Sequence, residues 1–359
     1  MNITFLAMDI TQIGGVERVI CDLANQFNKR LKYNVNIISV LKPSNSNVYF
    51  NLDNSISINY LNLNSNNGFK QQITNYIELI FALKKNDIIK KSNFIIGTHT
   101  MLSTAISFCK NDTNAKLIGA EHVDYYFLGR KWRILRKITY KNLDKVVVLN
   151  NKTAQQYKNF LNNVSIIRNP IPFESKTKSD LINKRIISVG RLEEEKAFEK
   201  SILAFSKLED EFKDWKLDII GSGSKEHELK TLIKELNLDN QVNILPFNKD
   251  IIKEYINSSI YILTSRIEGF PMVLLEAMEC GVPCVSFDLP GPCEIINNNK
   301  DGILVEANNI EEISESIRFL MKNEEIRKEF GKKASENIQR FNIENICNEW
   351  YDLFNDLTK

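Results

Sequence analysis

Two glutamates, Glu268 and Glu276, stand eight positions apart in the otherwise apolar stretch "RIEGFPMVLLEAMECGVPCV" (266–285). Pro271 suits the first turn of a helix because its nitrogen carries no hydrogen, so we predict a helix over 271–279. Glu268 then lies in the loop before this helix, and Glu276 lies about 7–8 Å along the axis from Pro271. Acids separated in this way are poorly placed to act as a shared catalytic pair. They are better placed to bind the two ends of one elongated ligand.

The start of this predicted helix offers further groups for the same ligand. Amides in a first helical turn have no partner within the helix and attract anions and hydroxyls. The candidates are Gly269, Phe270, Met272 and Val273. A nucleotide sugar, with its ribose diol, diphosphate and hexose, has the matching length and chemistry. In the alternative interpretation Glu268 is an exposed capping acid and Glu276 a surface charge, but the stretch as a whole favours a ligand site.

A diphosphate also needs fixed cations, and two follow another predicted strand in "SVGRLEEEKAFE" (188–199). Arg191 would supply a planar guanidinium fork and Lys196 a point charge. The alternative is that Lys196 pairs with Glu193 or Glu194 at the surface, as short charge runs usually do.

Two glycine turns lie between a predicted strand and a predicted helix. Gly221 and Gly223 occur in "IIGSGSKEHEL" (219–229), and Gly15 occurs in "QIGGVERV" (12–19). Glycine allows a backbone to approach an anionic group closely, although many turns use glycine only for its dihedral angles. The second turn lacks the G-x-G-x-x-G spacing, so an NAD-dependent dehydrogenase is the weakest hypothesis.

Two further polar residues follow predicted strands. His122 lies in "GAEHVDYYF" (119–127) and Glu294 in "FDLPGPCEII" (287–296). Each could hydrogen-bond a sugar hydroxyl. A single histidine is more often structural, and Glu294 could simply be an acid at a helix N-terminus.

A basic and aromatic segment, "YYFLGRKWRILRKITYK" (125–141), suits an anionic membrane surface or a lipid-diphosphate acceptor. The candidate contacts are Arg130, Lys131, Trp132 and Arg133. A solvated helix face with Trp132 pointing inward fits the pattern about as well. Nucleic acid is a less favoured partner because 47 basic residues are balanced by 45 acidic ones.

The elements that must position these residues are apolar runs alternating with amphipathic helical patterns. The runs read as strands over 3–8, 35–40, 94–97, 116–120, 145–149, 185–190, 215–221, 242–247, 260–263, 282–287 and 302–306. Continuous apolar strands indicate parallel sheets covered on both faces, hence an α/β protein of two Rossmann-like domains. We predict domains 1–172 (acceptor side) and 173–338 (nucleotide sugar), with a helix in 339–359 packing back on the first domain. Ligands bind beyond the carboxyl ends of such strands, in a cleft between the domains.

Other classes of site have little support in the sequence. The six cysteines form no CxxC pair and there are three histidines, which indicates neither a disulfide framework nor a zinc site. The N-terminus has no signal-peptide pattern, and no run approaches the ~20 apolar residues that a membrane span needs. We therefore expect a cytoplasmic protein, in peripheral contact with the inner face of the membrane.

These stretches together resemble the GT-B retaining glycosyltransferases of family 4, which build bacterial surface polysaccharides. The resemblance covers nearly the whole chain, and its most specific element is the E-x7-E pair. It rests on the Gly14–Gly15 turn, His122, Asn169–Pro170, Arg191 and Lys196 after "VG", the "GSG" turn, and Glu268 with Glu276. The family usually has glycine after the lysine, whereas Ala197 stands here, which leaves the loop geometry open.

The resemblance implies a role for each matching residue. Glu276 would bind the ribose hydroxyls, and Glu268, with the amides near Phe270 and Met272, would hold the donor sugar. Arg191 and Lys196 would neutralise the leaving diphosphate, so that neither a metal ion nor another cofactor is needed. His122 would hydrogen-bond the donor sugar near its reacting carbon. Gly15 would let the backbone approach the donor phosphate or the acceptor.

The expected activity is transfer of a hexose or N-acetylhexosamine from a UDP-sugar to a lipid-linked or saccharide acceptor, with retention of configuration. The product would belong to a capsule, O-antigen or lipopolysaccharide. Two alternatives stay open at this point: a nucleotide-sugar epimerase of the same fold, and a non-catalytic subunit of a synthase that binds the nucleotide sugar.

Overall fold

The computed structural model of the protein describes residues 1–64, 69–248 and 250–359, without the side chains of 69–73. These residues form two compact units. The first comprises Met1–Pro170 with Phe341–Lys359, and the second comprises Ile171–Arg340. The predicted boundaries, after residues 172 and 338, each lie two residues from these divisions.

The first unit contains a seven-stranded parallel sheet with the order β3-β2-β1-β4-β5-β6-β7. Its strands are β1 (Asn2–Ala7), β2 (Asn34–Leu41), β3 (Ser57–Leu63), β4 (Phe94–Gly97), β5 (Lys116–Glu121), β6 (Lys145–Val148) and β7 (Val164–Ile166). The central strands are almost wholly buried because helices cover both faces of the sheet.

The second unit contains a six-stranded parallel sheet with the order β10-β9-β8-β11-β12-β13. Its strands are β8 (Arg185–Val189), β9 (Lys216–Ile220), β10 (Val242–Leu245), β11 (Ile260–Leu263), β12 (Cys284–Phe287) and β13 (Gly302–Val305). Since β8 lies between β9 and β11, the loops that leave these three strands share one edge of the sheet.

The helices connect the strands and cover the sheets. They are α1 (Gly15–Lys29), α2 (Phe69–Lys85), α3 (Asp87–Lys91), α4 (Thr100–Ser107), α5 (Arg130–Thr139), α6 (Asn151–Lys158), α7 (Phe198–Ser206), α8 (Glu226–Glu235), α9 (Ile251–Ile256), α10 (Met272–Glu279), α11 (Pro292–Ile295), α12 (Ile310–Lys322), α13 (Glu324–Asn337) and α14 (Ile343–Thr358). None of the helices within the described ranges is long and apolar enough to cross a membrane.

The last helix, α14, packs inside the first unit. Phe354 is fully buried, and its ring lies 5.4 Å from that of Phe27 on α1 and 4.5 Å from that of Phe94 on β4. Trp350, one turn earlier, lies 6.2 Å from Phe27. Aromatic contacts of this kind place α14 against the core of the first unit.

All eleven strands predicted from apolar runs are present, and two strands were not predicted. β3 and β7 are the two edges of the first sheet. The sequence of β3, SINYLNL, alternates polar and apolar residues and is only partly buried, while β7 has three residues. Neither pattern contains the continuous apolar run that identifies a central strand.

Candidate functional site

In the second unit, the loops after β8 and β9 pack against each other through their backbones. The amide of Gly190 donates to Ile220 O (3.0 Å), and the amide of Leu192 donates to Ser222 O (2.9 Å). A Cβ atom on Gly221 would lie 1.9 Å from Gly190 O, and one on Gly223 would lie 2.4 Å from Leu192 O. The two glycines are therefore needed for this loop–loop contact, and a direct ligand contact from them stays a prediction.

Lys196 and Glu268, both predicted site residues, are paired. The ammonium of Lys196 lies 2.7 Å from Glu268 Oε1, and the hydroxyl of Ser265 donates to the same oxygen at 2.7 Å. The side chains of Lys196 and Glu268 are 21% and 9% exposed. The pair thus joins the loop after β8 to the loop after β11 at the carboxyl edge of the sheet.

The structure differs from the alternative interpretation, in which Lys196 pairs with Glu193 or Glu194 at the surface. Glu193 instead accepts hydrogen bonds from the amide and hydroxyl of Ser224, at 3.0 and 2.6 Å. Glu194 pairs with Lys225 at 3.2 Å and with Arg266 at 3.0 Å. The acids next to Lys196 therefore fasten its loop to neighbouring segments.

Arg191 lies at the surface of the same loop. Its side chain is 70% exposed and pairs with Glu195 at 2.7 Å. An exposed ion pair of this kind is weak and exchanges easily with another anion.

Ala197, at the position where the family usually has glycine, adopts a left-handed backbone with φ 49° and ψ 43°. It is fully buried. An L-residue costs roughly 1–2 kcal/mol in this conformation, and glycine avoids that cost. The loop therefore keeps a backbone turn suited to glycine even though alanine occupies it.

The other predicted acid, Glu276, lies half-buried on α10 and accepts a hydrogen bond from the hydroxyl of Tyr255 at 2.8 Å. Burial, followed by the charge of Glu276, raises the pKa of Tyr255 well above its ordinary value, so the phenol stays a donor. Pro271, the predicted first residue of this helix, is the N-cap of α10, so the helix starts one position later, at Met272. The half-buried Met272 and Val273 form the first turn.

The loop after β12 packs on the start of this segment. A Cβ atom on Gly291 would lie 2.9 Å from Gly269 O, so the backbones of the two loops are in direct contact. Phe270 is buried, with 5% of its surface exposed. Glu294 is half-buried in the short helix α11, and its carbonyl oxygen accepts from Arg340 Nη2 at 2.8 Å.

His122, in the first unit, follows β5 and lines a small cavity together with Thr98, Asn169 and Trp350. Its Nδ1 atom is buried and, within the part of the chain that the structure describes, has no hydrogen-bond partner. Burial, helped by the nearby His99, lowers the pKa of His122 to about 4, while a hydrogen bond with Asn169 acts in the opposite direction. His122 is thus neutral at pH 7 and can interact with a hydroxyl but not as a cation.

A buried charge network next to His122 was not predicted. Glu121 ends β5, and its carboxylate accepts from three hydroxyl groups, those of Thr100, Tyr140 and Tyr157. The fully buried Arg136 lies 3.6 Å from Glu121 and donates to Tyr125 O at 2.6 Å. The network therefore holds the chain on both sides of His122. The sequence shows Arg136 only as one of several basic residues on α5, which gives no sign that it is buried.

The remaining predicted residues of the first unit have mixed environments. Arg130 and Lys131 are exposed at the start of α5. Trp132 is half-buried, with its ring edge-on to Tyr76 at 6.3 Å, and Arg133 lies over the ring of Tyr126 at 5.1 Å. Trp132 thus has the inward contact of the alternative interpretation. Gly15 is exposed at the first position of α1.

The predicted residues therefore fall into two groups. Those of the second unit lie on the loops that follow the strands of one sheet and on the helices after these loops, and those of the first unit lie after β1 and β5 and on α5. In residues 1–64, 69–248 and 250–359, no three His, Cys, Asp or Glu side chains are arranged to hold a metal ion.

Comparison with known proteins decides the family. The family described as glycosyl transferases group 1 matches residues 172–337, and glycosyltransferase family 4 matches residues 13–175. An uncharacterized glycosyltransferase of Haemophilus influenzae is 33% identical over 358 residues, which cover 97% of this chain and 98% of the relative. The chain belongs to glycosyltransferase family 4.

Two further comparisons are informative. An α-1,4-N-acetyl-D-galactosaminyltransferase of Campylobacter jejuni, whose name specifies a saccharide on PP-undecaprenol, is 26% identical over 359 residues, 98% of each chain. A crystal structure of a Staphylococcus aureus TarM mutant with fondaparinux, α-GlcNAc-glycerol and UDP has a TM-score of 0.83 at 18% identity and 99% coverage of both chains. The predicted GT-B fold class, with two Rossmann-like parallel-sheet domains, is confirmed.

His122 is expected to make the family 4 protein less stable as the pH falls. An unfolded histidine titrates near 6.5, whereas the pKa of folded His122 is about 4. Between these values the unfolded chain binds a proton that the folded chain does not, so protonation favours unfolding. From pH 7 to pH 5 the free energy of unfolding should fall by about 2 kcal/mol more in the wild type than in His122→Gln.

Urea unfolding of both proteins at the two pH values measures this difference. His227→Gln, which changes an exposed histidine on α8, is the control and should behave as the wild type. If the free energy of unfolding falls equally in the wild type and in His122→Gln, the lowered pKa of His122 is contradicted.

Position 197 should accept glycine but not a β-branched residue. Ala197→Val is expected to lower the free energy of unfolding by at least about 2 kcal/mol, because valine strongly disfavours positive φ and the site is already filled. Ala197→Gly should change it by less than about 1 kcal/mol, since relief of strain offsets the greater freedom of the unfolded chain. Urea titration of the wild type and the two variants gives the order of their free energies of unfolding. A valine variant as stable as the wild type would rule out the left-handed conformation at residue 197.

Proposed function

We propose that this protein transfers a hexose or N-acetylhexosamine from a UDP-sugar to a lipid-linked or saccharide acceptor, with retention of configuration and without a metal ion. The product would be a bacterial surface polysaccharide such as capsule, O-antigen or lipopolysaccharide. The observation that carries the proposal is the ion pair of Lys196 and Glu268, held by Ser265 beside the start of α10.

The pair can exchange partners when a donor binds. A diphosphate concentrates negative charge on several oxygens, so it competes with a single carboxylate for the ammonium of Lys196. Glu268 would then lose its ion pair with Lys196. It would keep the hydrogen bond from Ser265, because the neutral hydroxyl is attracted less strongly to the phosphate than the ammonium is. The carboxylate, still held in place, could accept hydrogen bonds from the hydroxyls of the donor sugar.

The far end of the donor is assigned to Glu276. Tyr255 donates to Oε2 of this carboxylate and so fixes its orientation on α10. A carboxylate held in this way suits the vicinal hydroxyls of a ribose. Arg191, whose side chain is 70% exposed and pairs with Glu195 at 2.7 Å, is available to move onto the diphosphate.

The reaction itself breaks the bond between the anomeric carbon and the β-phosphate oxygen. Its electron pair goes to that oxygen, the acceptor hydroxyl forms a new bond to the anomeric carbon on the same face, and the departing phosphate takes the acceptor's proton. Lys196 and Arg191 stabilise the negative charge that grows on the leaving group, more in the transition state than in the ground state. A neutral His122 would hydrogen-bond the sugar without adding charge to the reacting carbon.

The relatives support the chemical class of donor and acceptor. The similar TarM structure contains UDP, and the Campylobacter enzyme is named for an acceptor on PP-undecaprenol. We assign the same classes, a UDP-sugar and a lipid-linked saccharide, to this chain. The proposed location is the cytoplasm, at the inner face of the membrane where such an acceptor is exposed.

The surface of α5 suits this location. Arg130 and Lys131 are exposed at its start. The neighbouring exposed apolar side chains are Tyr126, Phe127, Ile134 and Ile138. Basic and apolar groups that are exposed on a helix and in the segment just before it favour binding in the interface of an anionic membrane.

Replacement of the cations and of Glu276 should remove sugar transfer from a folded protein. Arg191→Ala, Lys196→Ala and Glu276→Ala are each expected to lower kcat about 10²–10³-fold, because each removes a contact made to the donor or its leaving group. Release of UDP from a panel of UDP-sugars, with polyprenol-diphosphate saccharides as acceptors and EDTA present, measures the loss.

Lys184→Ala is the matched control, since Lys184 also forms an ion pair but precedes β8 at the opposite edge of the sheet. Full activity in all three variants would contradict the assignment of Arg191, Lys196 and Glu276 to the donor site. An epimer of the donor seen by NMR would favour the epimerase, and UDP binding without turnover would favour the non-catalytic subunit. Loss of activity in EDTA, restored by a divalent cation, would contradict metal independence.

Binding to anionic membranes should depend on the start of α5. The double variant Arg130→Ala/Lys131→Ala is expected to bind phosphatidylglycerol vesicles about tenfold or more weakly, since each basic residue near such a surface contributes about 1 kcal/mol. Co-sedimentation at low and high salt gives the affinity. The control Lys332→Ala/Lys333→Ala removes the same charge on α13 and should bind as the wild type does. Equal binding by the two double variants would exclude α5 as the membrane-binding surface.

A further inference from the structure

Arg266, a residue with no role in the proposed reaction so far, binds the segment that contains Lys196. Its backbone amide donates to Glu195 O at 2.8 Å, and its Nε donates to Glu194 O at 3.0 Å. Its Nη2 atom also lies 2.7 Å from a carboxylate oxygen of Glu199 and 3.0 Å from one of Glu194. The contacts therefore lie on both sides of Lys196.

The segment that Arg266 binds is one that needs support. Glu194–Lys196 forms a single turn of 3-10 helix, and the left-handed Ala197 follows before α7 begins. A short 3-10 turn and an alanine at positive φ are both unfavourable conformations, so neighbouring contacts must hold them. On its other side this loop is held by Ser224 and Lys225.

Arg266 also follows directly after Ser265, whose hydroxyl holds Glu268. Adjacent residues of the loop after β11 thus fix the two partners of the central ion pair, Ser265 through the carboxylate and Arg266 through the backbone that carries Lys196. A residue that contacts both flanks of Lys196 determines where its ammonium can reach.

We propose that Arg266 is a positioning residue, which holds the 194–199 segment so that the Lys196 ammonium meets the leaving diphosphate. This inference rests on the proposed function. Displacing a catalytic group by about 1 Å can lower a rate about 10²-fold, so loss of this support should act on kcat. Arg266 is 43% exposed and its ion pairs contribute little to overall stability, so its removal should leave the fold intact.

A competing role for Arg266 is direct binding of the diphosphate. Its guanidinium is occupied by two glutamates and one carbonyl oxygen, whereas a phosphate-binding arginine would have to leave them. The two roles differ in a double-mutant cycle. A positioning residue acts through Lys196 and has no effect once Lys196 is removed, while a second phosphate ligand keeps its effect.

The experiment compares kcat and KM for UDP-sugar transfer in the wild type, Arg266→Met, Lys196→Ala and the double variant. We expect Arg266→Met to lower kcat about 10- to 100-fold with KM for the acceptor unchanged, and Arg266→Lys to recover part of the loss. In the Lys196→Ala background the same change should cost less than about threefold. Arg318→Met is the matched control, because Arg318 also binds two glutamates, Glu211 and Glu315, and a backbone carbonyl in the second unit.

Each outcome decides the inference. If the losses of kcat in the two single variants multiply in the double variant, Arg266 acts independently of Lys196 and the proposal is overturned. It is also overturned if Arg266→Met keeps the wild-type kcat while Lys196→Ala has a lower one. If the wild type transfers no sugar, or Lys196→Ala is fully active, the proposed function fails. Hydrogen exchange of a peptide covering 193–199 then tests positioning alone: exchange at least about tenfold faster in Arg266→Met than in Arg318→Met supports it, and a smaller difference overturns it.

Discussion

In the second unit, loops from two neighbouring strands bring the ammonium of Lys196 to 2.7 Å from the carboxylate of Glu268. Glu268 is buried, and a buried carboxylate without a cation is costly because water no longer solvates it. The pair therefore stabilises both charges. In the proposed reaction this arrangement would supply a cation and an acid to the diphosphate sugar without leaving either charge uncompensated beforehand.

Close backbone packing makes this arrangement rigid. Gly221 and Gly223 let the loop after β9 touch the loop after β8, and Gly291 lets the loop after β12 touch Gly269. Side chains placed by direct backbone contacts have little freedom to drift. Electrostatic stabilisation of a leaving group depends on groups that are already in place, so rigid loops at the carboxyl edge serve the proposed chemistry better than mobile ones.

The sequence predicts those parts of this protein whose patterns are local. Central strands are continuous apolar runs, and the site stretch around Glu268 and Glu276 combines acids, glycine and proline in a recognisable order. The pairing of Lys196 with Glu268 spans 72 positions and depends on strand order, which no local pattern contains. The burial of Arg136 is equally invisible, because an arginine on a basic helix looks the same whether it faces water or the carboxylate of Glu121. The low pKa of His122 follows from its burial and could not be read from its neighbours in the chain.

The placement of α14 has a consequence for how the chain is made. The first unit is interrupted in sequence by the whole of the second, and its core includes Phe354 against Phe27 and Phe94. During translation the second unit can fold as soon as it emerges, since all its residues, Ile171–Arg340, are contiguous in the chain. Most of the first unit is synthesised earlier, but part of its hydrophobic core stays uncovered until α14 leaves the ribosome.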